Sequence, residues 1–178
     1  MNTPERTWET SRLLARPPAV EDAQVLFEEY ASDPQVAKYM TWTPHRTVTE
    51  TEAFLTRCER VWRDGSAYPW SLWQKHDGAF VGLLEIRVMP GAVNLGYALV
   101  RRWWRQGLMT EALTPVVQWA LAQPTIYRVW ATCDVENFAS AQLLERVGMQ
   151  REGVLRRWLV HPNLSDTPRD CFCYSIVR

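Results

Sequence analysis

The sequence is poor in the residues that mark metal or disulfide chemistry. Its 178 residues include only 3 histidines and 4 cysteines. Cys58, Cys133, Cys171 and Cys173 fit no zinc pattern, because the single Cys-x-Cys pair lacks a second pair of ligands. No metal is therefore expected. The thiols read as reduced and the protein as cytoplasmic, where disulfides rarely persist. Net charge is also lacking: 20 Lys and Arg balance 20 Asp and Glu. A general polyanion binder would carry a basic excess, so no nucleic-acid partner is expected. No apolar run approaches membrane-spanning length, and no membrane partner is expected. The polar segment 1–10 does not read as a signal peptide.

What is present suits one globular domain over residues 1–178. Apolar residues make up 47% and charged residues 22%, an ordinary balance for a soluble fold. The 10 tryptophans are unusual. Many stand beside Arg, Pro or Thr, so they either line a groove or fill core and rim.

Periodicity gives the elements. Leu13-Leu14-Ala15-Arg16 reads as a short strand stopped by Pro17. Helical spacing runs from Glu21 to Ala31, and a short helix from Pro34 to Met40 has Asp33 as cap. A helix from Thr49 to Arg63 has Thr49 and Glu52 as a capping box and ends at Gly65. Its apolar stripe is Ala53, Phe54, Cys58, Val61 and Trp62. Three strands follow as an antiparallel meander: Tyr68 to Gln74, Phe80 to Val88 and Val93 to Val100. A helix then runs from about Leu108 to Leu121, with Pro115 in its interior at a cost of about 3 kcal/mol unless the helix kinks. A strand from Tyr127 to Cys133, a helix from Asn137 to Arg146, and strands from Met149 to Leu159 and Cys171 to Val177 complete the chain. This order predicts a mixed α/β sheet with helices on both faces, not a run of Rossmann units.

The most informative stretch is 93–113. A strand ends at Val100, and a turn bearing Arg101, Arg102, Arg105 and Gly107 opens a helix. Free N–H groups and the positive end of the helix dipole bind phosphate there. No Gly-Lys-Ser/Thr follows and no G-x-G-x-x-G is formed, so the turn is neither a Walker loop nor a dinucleotide fingerprint. A pyrophosphate-carrying ligand and a capped helix with solvated arginines both remain open. The second stretch is 137–149, where Asn137 is a natural cap and Ser140 lies one turn on.

Arg-Gln-Gly-Leu-Met-Thr-Glu-Ala (105–112) resembles the acyl-CoA pyrophosphate loop of GCN5-related N-acetyltransferases (GNAT). Asn-x-x-Ser…Leu-Leu-Glu-x-x-Gly-Met (137–149) resembles their second cofactor motif. Ser11-Arg12-Leu13-Leu14-Ala15-Arg16-Pro17 is similar to the opening strand of the Rim branch, the ribosomal-protein N-terminal acetyltransferases. His161-Pro162-Asn163 and Arg169-Asp170 are similar to that branch's closing hairpin. The resemblance covers residues 11–178. It implies the GNAT fold, an α/β architecture with a mixed, mostly antiparallel central sheet and helices on both faces. It implies acetyl-CoA as co-substrate and an amine acceptor, either a peptide N-terminus or a small molecule. An acyl-CoA-binding module without turnover is the alternative.

By position, the resemblance implies that Leu99 and Val100 offer backbone groups to the pantetheine arm and the thioester carbonyl. Arg105, Gln106, Gly107, Leu108, Met109 and Thr110 hold the pyrophosphate. Asn137 and Ser140 meet the pantetheine and the sulfur end. Departures are visible: Arg105 and Met109 replace small residues, and Leu144 stands where many members carry a tyrosine acid. In the Rim branch a serine takes that role, which here points to Ser140. Glu85, a carboxylate in the apolar strand Gly82 to Val88, is the candidate base; its alternative is an ion pair with Arg87 on the same face. Tyr39 and Trp42 are expected to wall the acceptor site. Surface positions are expected for His45, His76 and His161. The acceptor is not chosen by the fold, and monomer and homodimer are both open.

Overall fold

The computed structural model describes residues 2–178. Eight strands form one sheet in the order β1-β2-β3-β4-β5-β6-β8-β7. They are β1 (Trp8–Glu9), β2 (Leu13–Arg16), β3 (Ala67–Gln74), β4 (Phe80–Met89), β5 (Ala92–Leu99), β6 (Arg128–Asp134), β7 (Gln150–Leu159) and β8 (Arg169–Val177). Every neighbouring pair is antiparallel except β5 and β6. The predicted α/β class and meander are both present. The edge strand β1 is additional, being only two residues long and without a readable period.

Three helices match the predicted ones closely, α3 (Val48–Asp64), α4 (Leu108–Ala122) and α5 (Phe138–Arg146), whereas α2 (Pro34–Ala37) begins at Pro34 as expected but ends before the predicted Met40. The segment 20–31, α1, is not one regular helix. It runs as a 3₁₀ turn (Val20–Asp22), an α turn (Ala23–Leu26) and a π turn (Phe27–Ala31). Ser32 Oγ donates to the Phe27 carbonyl at 2.7 Å and closes the widened end.

The start of α3 needs correction. Thr47, not Thr49, is the cap, and its side chain accepts from Glu50 N at 3.3 Å. The Glu50 carboxylate in turn accepts from Arg46 N at 2.7 Å. The Thr-x-x-Glu spacing thus occurs twice, and the copy two residues earlier forms the cap. Gly65 ends α3 at φ 73°, as expected. The buried stripe is Thr51, Leu55, Cys58 and Trp62, so Ala53 is exposed instead of packed. Pro115 lies within α4 without ending it.

Residues directly opposite on paired strands share a face of the sheet. Leu84, Ile86, Val93, Leu95, Val129, Ala131, Cys133 and Tyr174 face α4 and α5 in the larger core. On the other face α1 and α3 bury Leu26, Tyr30, Leu55, Phe80 and Leu83. Trp62 and Trp70 are buried in the larger core, Trp73 packs against the smaller core, Trp103 packs against both, and Trp104 and Trp158 are exposed. The tryptophans therefore serve mainly as packing.

Candidate active site in the split between two strands

The sheet opens at its centre. β5 and β6 pair only from Ala92↔Arg128 to Asn94↔Trp130, yet β5 continues to Leu99 and β6 to Asp134. Each strand is fully engaged on its other side: β5 with β4 from Gly82↔Leu99 to Met89↔Ala92, and β6 with β8 from Arg128↔Val177 to Asp134↔Cys171. The two strands diverge and leave a cleft between them.

Val100 faces away from this cleft. Its N–H donates to the Val81 carbonyl at 2.9 Å, and its carbonyl accepts from Trp103 N at 3.0 Å. Both backbone groups are spent, so Val100 does not supply the free amide expected of it. The pleat alternates, which turns the backbone of Leu95, Tyr97 and Leu99 toward the cleft. The Leu99 carbonyl accepts from Trp104 Nε1 at 2.9 Å. That leaves the Leu99 N–H as the open donor at the strand end. Close approach of β4 sets this geometry: a Cβ on Gly82 would lie 2.4 Å from the Ala98 carbonyl oxygen.

At the mouth of the cleft the chain turns through Arg105 (φ 62°) and Gly107 (φ 75°) into α4. Among the described residues, no backbone N–H from Arg105 to Thr110 donates to a protein group; the first bond of α4 is Glu111 N to the Gly107 carbonyl, 3.0 Å. Consecutive free N–H groups at a helix start make an anion cradle. Two of the predicted cations are committed elsewhere. Arg102 pairs with Glu29 at 2.7 Å, and Arg101 lies 3.9 Å from Asp33. Arg105 has no ion-pair partner among the described residues and remains available.

Arg12 supports this turn, a role not read from the sequence. Its Nη1 donates to the Gln106 carbonyl at 3.0 Å and its Nε to Glu111 at 2.6 Å, while its own N–H donates to Glu111 at 2.9 Å. Thr10 donates to the same carboxylate. Partial burial opposes ionisation of Glu111, but the bonds from Thr10 and Arg12 prevail and hold its carboxyl below the usual range. Nothing local in Ser11-Arg12-Leu13 signals a partner about a hundred residues away.

Inside the cleft, Asn137 Oδ1 accepts from Ser140 N at 3.2 Å and caps α5. Ser140 Oγ lies 2.8 Å from the hydroxyl of Tyr97 on β5. Tyr97 was also missed, although its alternation with Leu95 and Leu99 places a hydroxyl on an apolar face. Burial pushes the Tyr97 phenol up, against the opposing bond to Ser140. Cys133 stands close by; burial, again opposed by Ser140, raises its thiol to about 11. Leu144 is fully buried in the core.

Glu85 opposes Gly96 in register and so lies on the sheet face away from Tyr97. Its Oε1 sits 2.6 Å from Arg87, the ion pair that was its alternative reading. Arg87 also donates to Asn94 at 3.0 Å, and a Cβ on Gly96 would come within 3.3 Å of the guanidinium. Burial, then the nearby Glu85 charge, raises the Cys58 thiol to about 12.

Tyr39 and Trp42 lie in the segment between α2 and α3. The Tyr39 hydroxyl donates to the Glu136 carbonyl at 3.3 Å and links the end of α2 to the β6–α5 turn. Trp42 packs on Tyr30 and His45, with ring centroids at 5.7 and 5.8 Å. Asn163 reaches from the β7–β8 loop to the carbonyls of Ala37 at 2.7 Å and Trp42 at 2.8 Å. His161 is only 3% exposed, not at the surface as expected. It lies 3.7 Å from Asp134, which is fully buried and held by Arg169 at 2.6 Å. His45 is half-buried, with Nδ1 2.8 Å from Thr51 Oγ1, and burial lowers its pKa. His76 is exposed as expected.

A family profile described as an acetyltransferase (GNAT) domain matches residues 12–150. An uncharacterized N-acetyltransferase, p20 of Bacillus licheniformis, is 31% identical over 150 residues, covering 83% of this chain and 84% of that protein. The ribosomal protein uS5 alanine N-acetyltransferase of Escherichia coli is 28% identical over 168 residues, covering 89% and 86%. The microcin C7 self-immunity acetyltransferase MccE, solved with acetyl-CoA and AMP, superposes with a TM-score of 0.84 at 20% identity, covering 94% of this chain and 93% of that one.

Proposed function

The chain belongs to the GNAT acetyltransferase family, and from that premise we propose that it transfers an acetyl group from acetyl-CoA to a primary amine, a protein N-terminal α-amine or a small-molecule amine. The observation that carries this reading is the opening between β5 and β6, with the unpaired amides of 105–110 at its mouth. A long thioester with a diphosphate at one end fits a cleft with an anion cradle at one end.

In this reading Arg105 to Thr110 hold the diphosphate and Arg105 adds the positive charge. Asn137 and Ser140 flank the arm and its sulfur. The Leu99 N–H is the donor for the carbonyl oxygen as it becomes an oxyanion, a bond worth about 3–4 kcal/mol. Acetyl-CoA supplies the acyl group as a thioester, a carbon open to attack by a neutral amine. The amine lone pair forms the C–N bond. The C–S bond breaks with its electron pair going to sulfur, and the surplus amine proton leaves to solvent. Glu85 and Ser140 lie on opposite faces of the sheet, which suits approach from one side and departure from the other.

An α-amine fits better than lysine. The α-amine pKa is about 7.8 and that of lysine about 10.4, a difference of roughly 3.5 kcal/mol in reaching the neutral form. Glu85, paired with Arg87 at 2.6 Å, is the candidate carboxylate for this easier task. Tyr39 and Trp42 would then wall the acceptor. The relative named for uS5 alanine supports the same choice.

Thiol release from acetyl-CoA, measured against peptides with different first residues and against small amines, tests this. Turnover with one class names the acceptor. Tight acetyl-CoA binding without turnover on any amine would instead favour an acyl-CoA-binding module.

A further inference from the structure

We propose that Tyr97 is the positioning residue that aims Ser140, donating its phenolic hydrogen to Ser140 Oγ so that the serine hydrogen is left for the coenzyme sulfur. The inference rests on the reading of Ser140 as the group beside that sulfur. Three observations carry it. The two hydroxyl oxygens are 2.8 Å apart, linking β5 to α5. The Ser140 backbone is held by its bond to Asn137 at 3.2 Å, and α5 is anchored by buried Ala141 and Leu144, so only the serine rotamer remains to be set. Tyr97 is two residues from Leu99 on the same strand. One strand would therefore present the donor to the carbonyl and fix the donor to the sulfur.

The direction of the hydrogen bond follows from chemistry. A phenol is a stronger acid than an aliphatic alcohol and the better donor, and burial keeps Tyr97 protonated. Cys133 does not compete as an anion, because burial holds its thiol neutral.

Acidity also limits what Ser140 can do. A thiol has an ordinary pKa near 8.5, and a serine hydroxyl is a far weaker acid. Ser140 therefore does not hand its proton to the departing thiolate. It donates a hydrogen bond that stabilises charge on sulfur, and the thiolate later takes a proton from water. A donor behind a donor polarises the chain and strengthens its last bond.

Coenzyme A itself is the probe. Reduced coenzyme A bound to the full chain is titrated by its thiolate ultraviolet absorbance, with the protein alone subtracted. In the wild type the bound thiol should ionise below its value in free coenzyme A. Ser140→Ala should return it to the free value. Tyr97→Phe should lower the acid dissociation constant about threefold, a half-unit shift, with affinity for the neutral thiol form of coenzyme A, read well below its pKa, unchanged. In the double variant the thiol should match Ser140→Ala alone, because Tyr97 acts only through Ser140. A wild-type titration in Tyr97→Phe beside a shifted Ser140→Ala overturns the role of Tyr97 alone. So does a full Tyr97→Phe effect in the absence of Ser140. No shift in Ser140→Ala removes the reading of Ser140 and this inference with it. Should Tyr97→Phe not fold, 3-fluorotyrosine at 97 replaces it. The more acidic phenol should then shift the bound thiol further down, and an unchanged value overturns the proposal.

Discussion

At the scale of single residues the site depends on backbone more than on side chains. Gly82 is the sharpest case, since a methyl group there would press on the Ala98 carbonyl and the Leu99 Cα. Gly82→Ala should lose more than about 2 kcal/mol of unfolding free energy in urea and should weaken coenzyme A binding in parallel. A stability loss within half of that would show that β4 can move away. Arg12 sits one step behind the cradle. Arg12→Met should weaken coenzyme A binding about tenfold by calorimetry, the effect of roughly 1.4 kcal/mol, through a loosened turn, and Thr10→Val should follow more mildly. Acid sensitivity has a defined sign. Glu111 and Asp134 are held below their ordinary carboxyl values: burial opposes this in both, and bonds from Thr10 and Arg12, and from Arg169, prevail. In the acid range the unfolded chain binds the extra protons, so stability is present above pH of about 4 and falls as pH drops further. Asp134→Asn should flatten that decline in thermal melts between pH 5 and about 3; an unchanged slope would assign it to other carboxylates.

At the scale of elements the sequence was legible wherever a local rule acted alone. The meander, α4, α5 and the Gly65 stop follow period, cap and turn chemistry, and each is observed within a residue or two. Misreadings arose where two local signals competed or where the partner was distant. Thr47 and Thr49 offer the same cap motif, and only packing of Thr51 and Leu55 selects the earlier one. Thr47→Ala should therefore cost about 1 kcal/mol and Thr49→Ala almost nothing, as chemical denaturation would show. The π turn in α1 and the two-residue β1 carry no period to read. The candidate site divides the same way. The turn 105–110 and the cap at Asn137 are sequence patterns, whereas Arg12, Tyr97 and buried His161 acquire their surroundings from residues brought close only by the folded sheet. Val100 was misassigned for a still smaller reason, since a one-residue shift in a pleat reverses which amide faces the cleft.

At the scale of the whole molecule the sheet is two blocks of local pairing. Strands β1 to β5 lie side by side in chain order, β6 to β8 form the second block, and three residue pairs at one end join the blocks. α4 crosses between them and packs on both. The donor in the proposed reaction lies along this seam. It is then a fastener as well as a reactant. Residues 2–104 and 105–178, made as separate polypeptides, should reassemble weakly alone and more tightly with coenzyme A, the increase being readable by analytical ultracentrifugation. The cleft that admits the acyl donor would also turn the chain into a two-piece sensor for it.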